Sequence, residues 1–174
     1  MIEVMYDALQ PKIPINVLAH APKDPKLINE YKDAGVTSIA FNLEVFDREI
    51  FKKVCPGKNN LYGYDRWMRT LEESRDVFGQ YKTFCGLVWG LEPAESTMAG
   101  NRYFLENGIA IASNIFHADP NSAMGKHPHP DEDFILKIAK HEQELFKEYT
   151  KAKTIFPVSM RSTVDWEAYR ADFK

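Results

Sequence analysis

His127-Pro128-His129, followed closely by Asp131, Glu132 and Asp133, sets two imidazoles beside three carboxylates, a donor set that suits zinc or iron. The prolines keep the stretch extended, so alternate side chains point to opposite sides. A solvated loop entering a helix whose acidic first turn complements the dipole explains the same residues at least as well, and no metal is assigned to it. A wider set of His20, His117, His127 and His129 is what a metal-dependent hydrolase on this chain would have to use. The two cysteines, Cys55 and Cys85, stand far apart and alone in their segments, which argues against a disulfide framework or a Cys-rich zinc module and fits a reducing cytoplasm. Cys85 lies inside an apolar run and reads as an inert core residue.

Other polar residues stand where strands should end, and in α/β folds ligands gather at the carboxyl ends of the strands. One predicted strand ends Asn42-Leu43-Glu44, another runs from Gly86 to Glu92, and a third ends Asn114-Ile115-Phe116-His117. Each has a plainer reading: Asn42 and Glu44 as caps of the helix that begins near Asp47, Glu92 before Pro93 as a helix-start residue, His117 as a hydrogen-bonded structural histidine. Arg66 and Arg69 open a helix, where a cation gains nothing from the dipole, so either could instead reach a carboxylate.

These residues need a frame, and the pattern supplies one. Short apolar runs alternate with amphipathic stretches, as in a parallel sheet joined by crossover helices. Strands are predicted over 15–20, 36–43, 81–91 and 109–116. Between them fall a helix opened by Asp24 and Pro25 and closed by Gly35, two segments (47–54 and 65–78) broken at Pro56-Gly57, and a modest helix over 95–107. Trp67, Met68, Leu71 and Phe78 form the apolar side of the 65–78 helix. A long helix starts at Asp131, and 150–174, with Trp166 and Tyr169, reads as a packed tail with a short terminal helix. The 174 residues, 44% hydrophobic and 27% charged, suffice for one domain with a real core. A net charge of -3 gives no basic excess for nucleic acid. No apolar run approaches the roughly 20 residues that span a bilayer, and no leader is evident, so no membrane is expected and the cytoplasm is.

The order of these strand ends resembles the later half of the radical S-adenosylmethionine barrels, in particular the group around biotin synthase and lipoyl synthase. In that group an Asn-Leu-Asp/Glu strand end precedes a Tyr-containing helix and then a Gly-(apolar)-x-x-Gly-x-Glu strand end. Here the run is Asn42-Leu43-Glu44, then Gly63-Tyr64-Asp65-Arg66-Trp67-Met68-Arg69-Thr70-Leu71, then Gly86 through Glu92. The resemblance covers residues 15 to 140 and implies a partial (β/α) barrel of four parallel strands, spanning 15–149 in a single domain. It implies that Asn42 and Glu44 hold the ribose of S-adenosylmethionine, since an amide and a carboxylate together can chelate a vicinal diol. It further puts Asn114 and His117 beside the adenosyl group, Glu92 on the substrate side, and one of Arg66 and Arg69 near the methionine carboxylate.

The departure from the pattern lies in the cluster. The family's Cys-x-x-x-Cys-x-x-Cys loop, which holds a 4Fe-4S cluster, has no counterpart here, so the chain would begin partway around the barrel and be inactive alone. The expected partners are an N-terminal cluster-bearing half and a small-molecule substrate. The alternative is a non-catalytic half-barrel that buries its strand edges in a homo-oligomer, because four strands cannot close a barrel that takes about eight.

Overall fold

The structure is a computed structural model and describes residues 2–9 and 14–149. Its sheet holds strands β1 (Asn16–Leu18), β2 (Ser38–Ala40), β3 (Thr83–Trp89) and β4 (Ala110–Ile115), all parallel and in sequential order. Seven helices accompany them among the described residues: α1 (Ile2–Leu9), α2 (Lys26–Asp33), α3 (Arg48–Val54), α4 (Pro56–Leu61), α5 (Tyr64–Phe78), α6 (Ala94–Glu106) and α7 (Glu132–Glu148). The α/β class and the four-stranded half-barrel are as the sequence implies. The terminal helix expected over 150–174 lies outside the described residues.

Local chemistry explains most boundaries. The Asp24 carboxylate accepts the N–H of Lys26 at 3.0 Å, while Pro25 already has helical dihedrals, so α2 starts with proline at a position that needs no donor. Asp47 caps α3 by accepting the N–H groups of Glu49 and Ile50, both at 2.8 Å. Asp131 caps α7 through Phe134 N–H at 2.8 Å. Pro56, expected to mark a break, instead occupies the first turn of the separate helix α4. The apolar period of α5 buries Trp67, Leu71 and Phe78, and Met68 is half-buried.

A sequential parallel order with right-handed crossovers puts the connecting helices on one face of the sheet. That face carries the main core, in which Ile39, Phe41, Cys85, Leu87 and Ile111 from the strands meet Ile28, Phe51, Trp67, Leu71, Phe104 and Leu105 from the helices. The register gives the other face its layers: Leu18, Ala40, Phe84 and Ala110 in one, then Gly86 and Ala112, then Val88 and Asn114 toward the carboxyl end. Its side chains are mostly small, and Leu18 on the outermost strand is 67% exposed. At the opposite end of the sheet a cavity of about 330 Å³ is bordered by Tyr6, Lys32, Gly35 and Lys82, remote from the polar strand ends.

Candidate functional site

The polar residues singled out from the sequence do collect at the carboxyl ends of the strands, but the structure treats them differently. β2 does not stop cleanly at Ala40. Phe41 N–H donates to Phe84 O at 2.9 Å and Glu44 N–H to Gly86 O at 2.9 Å, so three steps along one chain match two along the other. That extra residue is a bulge, a device that re-aims side chains at a sheet rim. Within it Asn42 comes to lie over Gly86. A Cβ on Gly86 would stand 2.7 Å from the Asn42 amide carbon and oxygen, so only glycine admits that side chain.

Glu44 completes the bulge with φ at +78°, a left-handed conformation rare for a residue with a Cβ. Its backbone is fixed on both sides, since Val88 N–H donates to Glu44 O at 2.7 Å. Its carboxylate pairs with the ammonium of Lys58 on α4. Lys58 also donates to the Asn42 carbonyl at 2.8 Å and stands 4.8 Å from the centre of the Trp67 ring, whose indole N–H reaches Phe41 O at 3.2 Å. Neither Asn42 nor Glu44 caps α3, because Asp47 does so. Beside them the exposed His20 ring stacks on Tyr62, with centroids 5.7 Å apart, and meets the Trp67 edge.

Glu92, expected on the substrate side, is 5% exposed and its carboxylate is committed to the protein. It accepts the N–H groups of Phe46 at 2.9 Å and Asp47 at 2.7 Å, the Ser96 hydroxyl at 2.7 Å and the Thr97 hydroxyl at 3.2 Å. It ties the chain just past Glu44 to the start of α6. Tyr64, its hydroxyl donating to Phe46 O at 2.7 Å and its pKa pushed up to about 12 by burial, holds the same corner from α5.

Asn114 shares the small-residue face with Gly86 and Val88 and is exposed, as is His117 just beyond β4. The loop that follows folds back over this end. A His127 ring nitrogen lies 2.9 Å from Gly90 O and one of His129 lies 3.3 Å from Phe116 O, both rings packing on Phe116. Among the described residues no three His, Cys, Asp or Glu side chains stand together in a way that could hold a metal ion, so the hydrolase set of His20, His117, His127 and His129 does not assemble. Arg66 donates to Lys23 O at 3.1 Å rather than to a carboxylate; Arg48, which drew no attention in the sequence, takes Asp65 and lies 4.6 Å from the Tyr64 ring centre.

A 4Fe-4S cluster does not fit the thiols present. The sequence has two cysteines where the family loop supplies three. Cys85 is completely buried in β3, and burial raises its pKa far above the ordinary thiol range. Cys55 is pushed up to about 11, mainly by burial, with Lys58 opposing and Glu44 adding to the shift. Both are held as thiols at neutral pH. The adenosyl part of S-adenosylmethionine is another matter: an amide over a glycine, a partly open carboxylate beside it and an exposed amide two strands away are suitable donors and acceptors for a ribose and a base.

The fold is similar to part of the fold of a radical SAM enzyme. It matches coproporphyrinogen III oxidase of Escherichia coli, a radical SAM enzyme, with a TM-score of 0.58 at 14% identity, over 78% of this chain and 32% of that one. In sequence the chain is 28% identical over 131 residues to bacteriochlorophyllide c C-7(1)-hydroxylase of Chlorobaculum limnaeum, covering 75% of this chain and 33% of the relative. No protein-family model matches. The chain thus spans about a third of the length of each relative. Among the described residues no helix is long and apolar enough to cross a membrane.

Proposed function

We propose that this chain forms the adenosyl-binding side of a radical SAM enzyme of the biotin synthase and lipoyl synthase type. The observation that carries the reading is the β2 rim, where Asn42, seated over Gly86, adjoins Glu44 on a bulge of a radical SAM-like sheet. In this reading the Asn42 amide and the Glu44 carboxylate take the ribose hydroxyls, and Asn114 and the main chain up to His117 flank the adenine. Glu92 acts indirectly by fixing the corner after Glu44. S-adenosylmethionine, when bound beside a reduced cluster, supplies hydrogen-abstracting radical chemistry; the chain's own task is to orient the adenosyl group. The cluster comes from a further segment or a separate subunit, and the hydroxylation named for the curated relative is a candidate for the reaction of the whole assembly.

The test is the affinity of the assembly for S-adenosylmethionine before and after Glu44→Ala. Loss of a charged hydrogen bond should weaken binding by about tenfold or more. Unchanged affinity would remove Glu44 from the site.

A second reading draws on β1, whose Leu18 is two-thirds exposed on the outermost strand. A half-barrel that buries this edge against a second copy would be a stable oligomer without iron. Sedimentation of the purified chain together with iron analysis separates the two: a dimer lacking iron favours the binding protein, and a complex with about four irons favours the enzyme.

A further inference from the structure

We propose that Lys58 is the positioning residue of the Asn42/Glu44 pair, an inference that rests on the ribose reading and adds a residue to it. An ammonium has three N–H donors and no acceptor. Here they meet the Glu44 carboxylate, the Asn42 carbonyl at 2.8 Å and the π-face of Trp67 at 4.8 Å. Lys58 thereby grips the side chain of one candidate ligand residue and the main chain of the other. Both ends of the pair are half-buried, with 21% and 27% of the side chains exposed, so screening by water is incomplete.

The arrangement addresses two difficulties of the bulge. Glu44 adopts a left-handed backbone that nothing in its own side chain favours, and Lys58 anchors that side chain from a separate helix. The ion pair is to one oxygen, Oε1, so Oε2 stays available to a hydroxyl. It also balances the carboxylate charge, so that a ligand bearing its own carboxylate is not repelled. Trp67 is held in turn by its N–H bond to Phe41 O, which makes the platform under the ammonium rigid. Lys58 acts through Glu44 and, at the main chain, through Asn42, and need not touch the ligand.

The experiment is a titration of the full chain with S-adenosylhomocysteine, followed by NMR chemical shifts, for wild type, Lys58→Met, Glu44→Gln and the double variant. Methionine keeps the stem against Trp67, and Lys58→Gln serves as a second variant should Lys58→Met fail to fold, judged by far-UV circular dichroism. Lys58→Met should weaken binding about tenfold, Lys58→Arg should recover part of that loss, and Lys58→Met should add clearly less than its full effect once Glu44 is Gln, since only the contact with the Asn42 carbonyl is then left to lose. Wild-type affinity in Lys58→Met, with Glu44→Gln weakened, overturns the role of Lys58 and leaves the ribose reading standing. Losses that simply multiply in the double variant overturn it equally, because they show that none of the effect of Lys58 passes through Glu44. No binding by the wild-type chain, or none lost in Glu44→Gln, overturns the ribose reading and this inference with it.

Discussion

The ends of β2 and β3 each carry a glutamate, and the two are put to opposite uses. Glu92, after β3, is buried and accepts two main-chain N–H groups and two hydroxyls, so its carboxylate has no capacity left for a ligand. Glu44, after β2, is partly open, has a single charged partner and sits on a left-handed backbone. A carboxylate at a strand end is therefore informative only once its partners are counted. Saturation by buried donors marks a clamp, and an open oxygen on a strained rim marks a candidate ligand residue. The clamp also serves the rim, since Phe46 and Asp47 follow directly on Glu44 and Val45.

This contrast can be broken most sharply at Glu92. Replacing it with Ala leaves buried N–H and hydroxyl donors unsatisfied, so unfolding in urea should register a loss of about 3 kcal/mol. A loss no larger than that of Glu44→Ala would erase the distinction. Gly86→Ala comes next: the added methyl displaces the Asn42 amide, with an expected cost of about 1–3 kcal/mol in the same assay and loss of ligand affinity if Asn42 lies in the site. Glu44→Ala should then cost no more than about 1 kcal/mol of stability, as a partly screened ion pair, while affecting binding. Glu44→Gly should be at least as stable as Glu44→Ala, because glycine adopts the positive φ without strain; the reverse order in thermal melts would show that φ does not matter there.

The smallest effect lies away from both rims. Burial lowers the pKa of His141 on α7, and a ring nitrogen lies 3.2 Å from Met98 O. A histidine with a depressed folded pKa contributes stability above the unfolded pKa of about 6.5, and that contribution is lost as pH falls through the folded value. Urea midpoints should therefore drop on acidification below about pH 6.5, and His141→Gln should flatten that part of the profile. An unchanged slope in the variant would assign the acid sensitivity elsewhere.

Much of the frame was legible in the chain itself because its signals are local. Asp47 and Asp131 cap their helices as side chains reaching their own next turn, and the apolar runs around Ile39, Cys85 and Ile111 mark strands buried between layers. Asn42 and Glu44 were visible through the order of strand ends. Lys58 was not: a lone lysine after Pro56-Gly57 carries no period or motif, and its partners are Glu44 on the sheet rim and Trp67 on another helix. Trp67 read as a core residue, which it is, yet its indole N–H and ring face also support the rim. Glu92 was placed on the substrate side by the resemblance; Ser96 and Thr97 are local partners, but the main-chain donors that complete its shell, Phe46 and Asp47 N–H, come from the far side of a strand crossover.

What the sequence determined by itself was the succession of the four strands and of the helices other than α1 and α4, the apolar side of the main helices, and the residues standing at the strand ends, since propensity, capping and periodicity act within a few residues. The tertiary structure decided which of those end residues are free to meet a ligand. That outcome depends on hydrogen bonds and charges between segments far apart in the chain, where Lys58 meets Glu44 across 14 residues and Phe46 meets Glu92 across 46. Only folding brings such partners within the few ångströms over which those forces act.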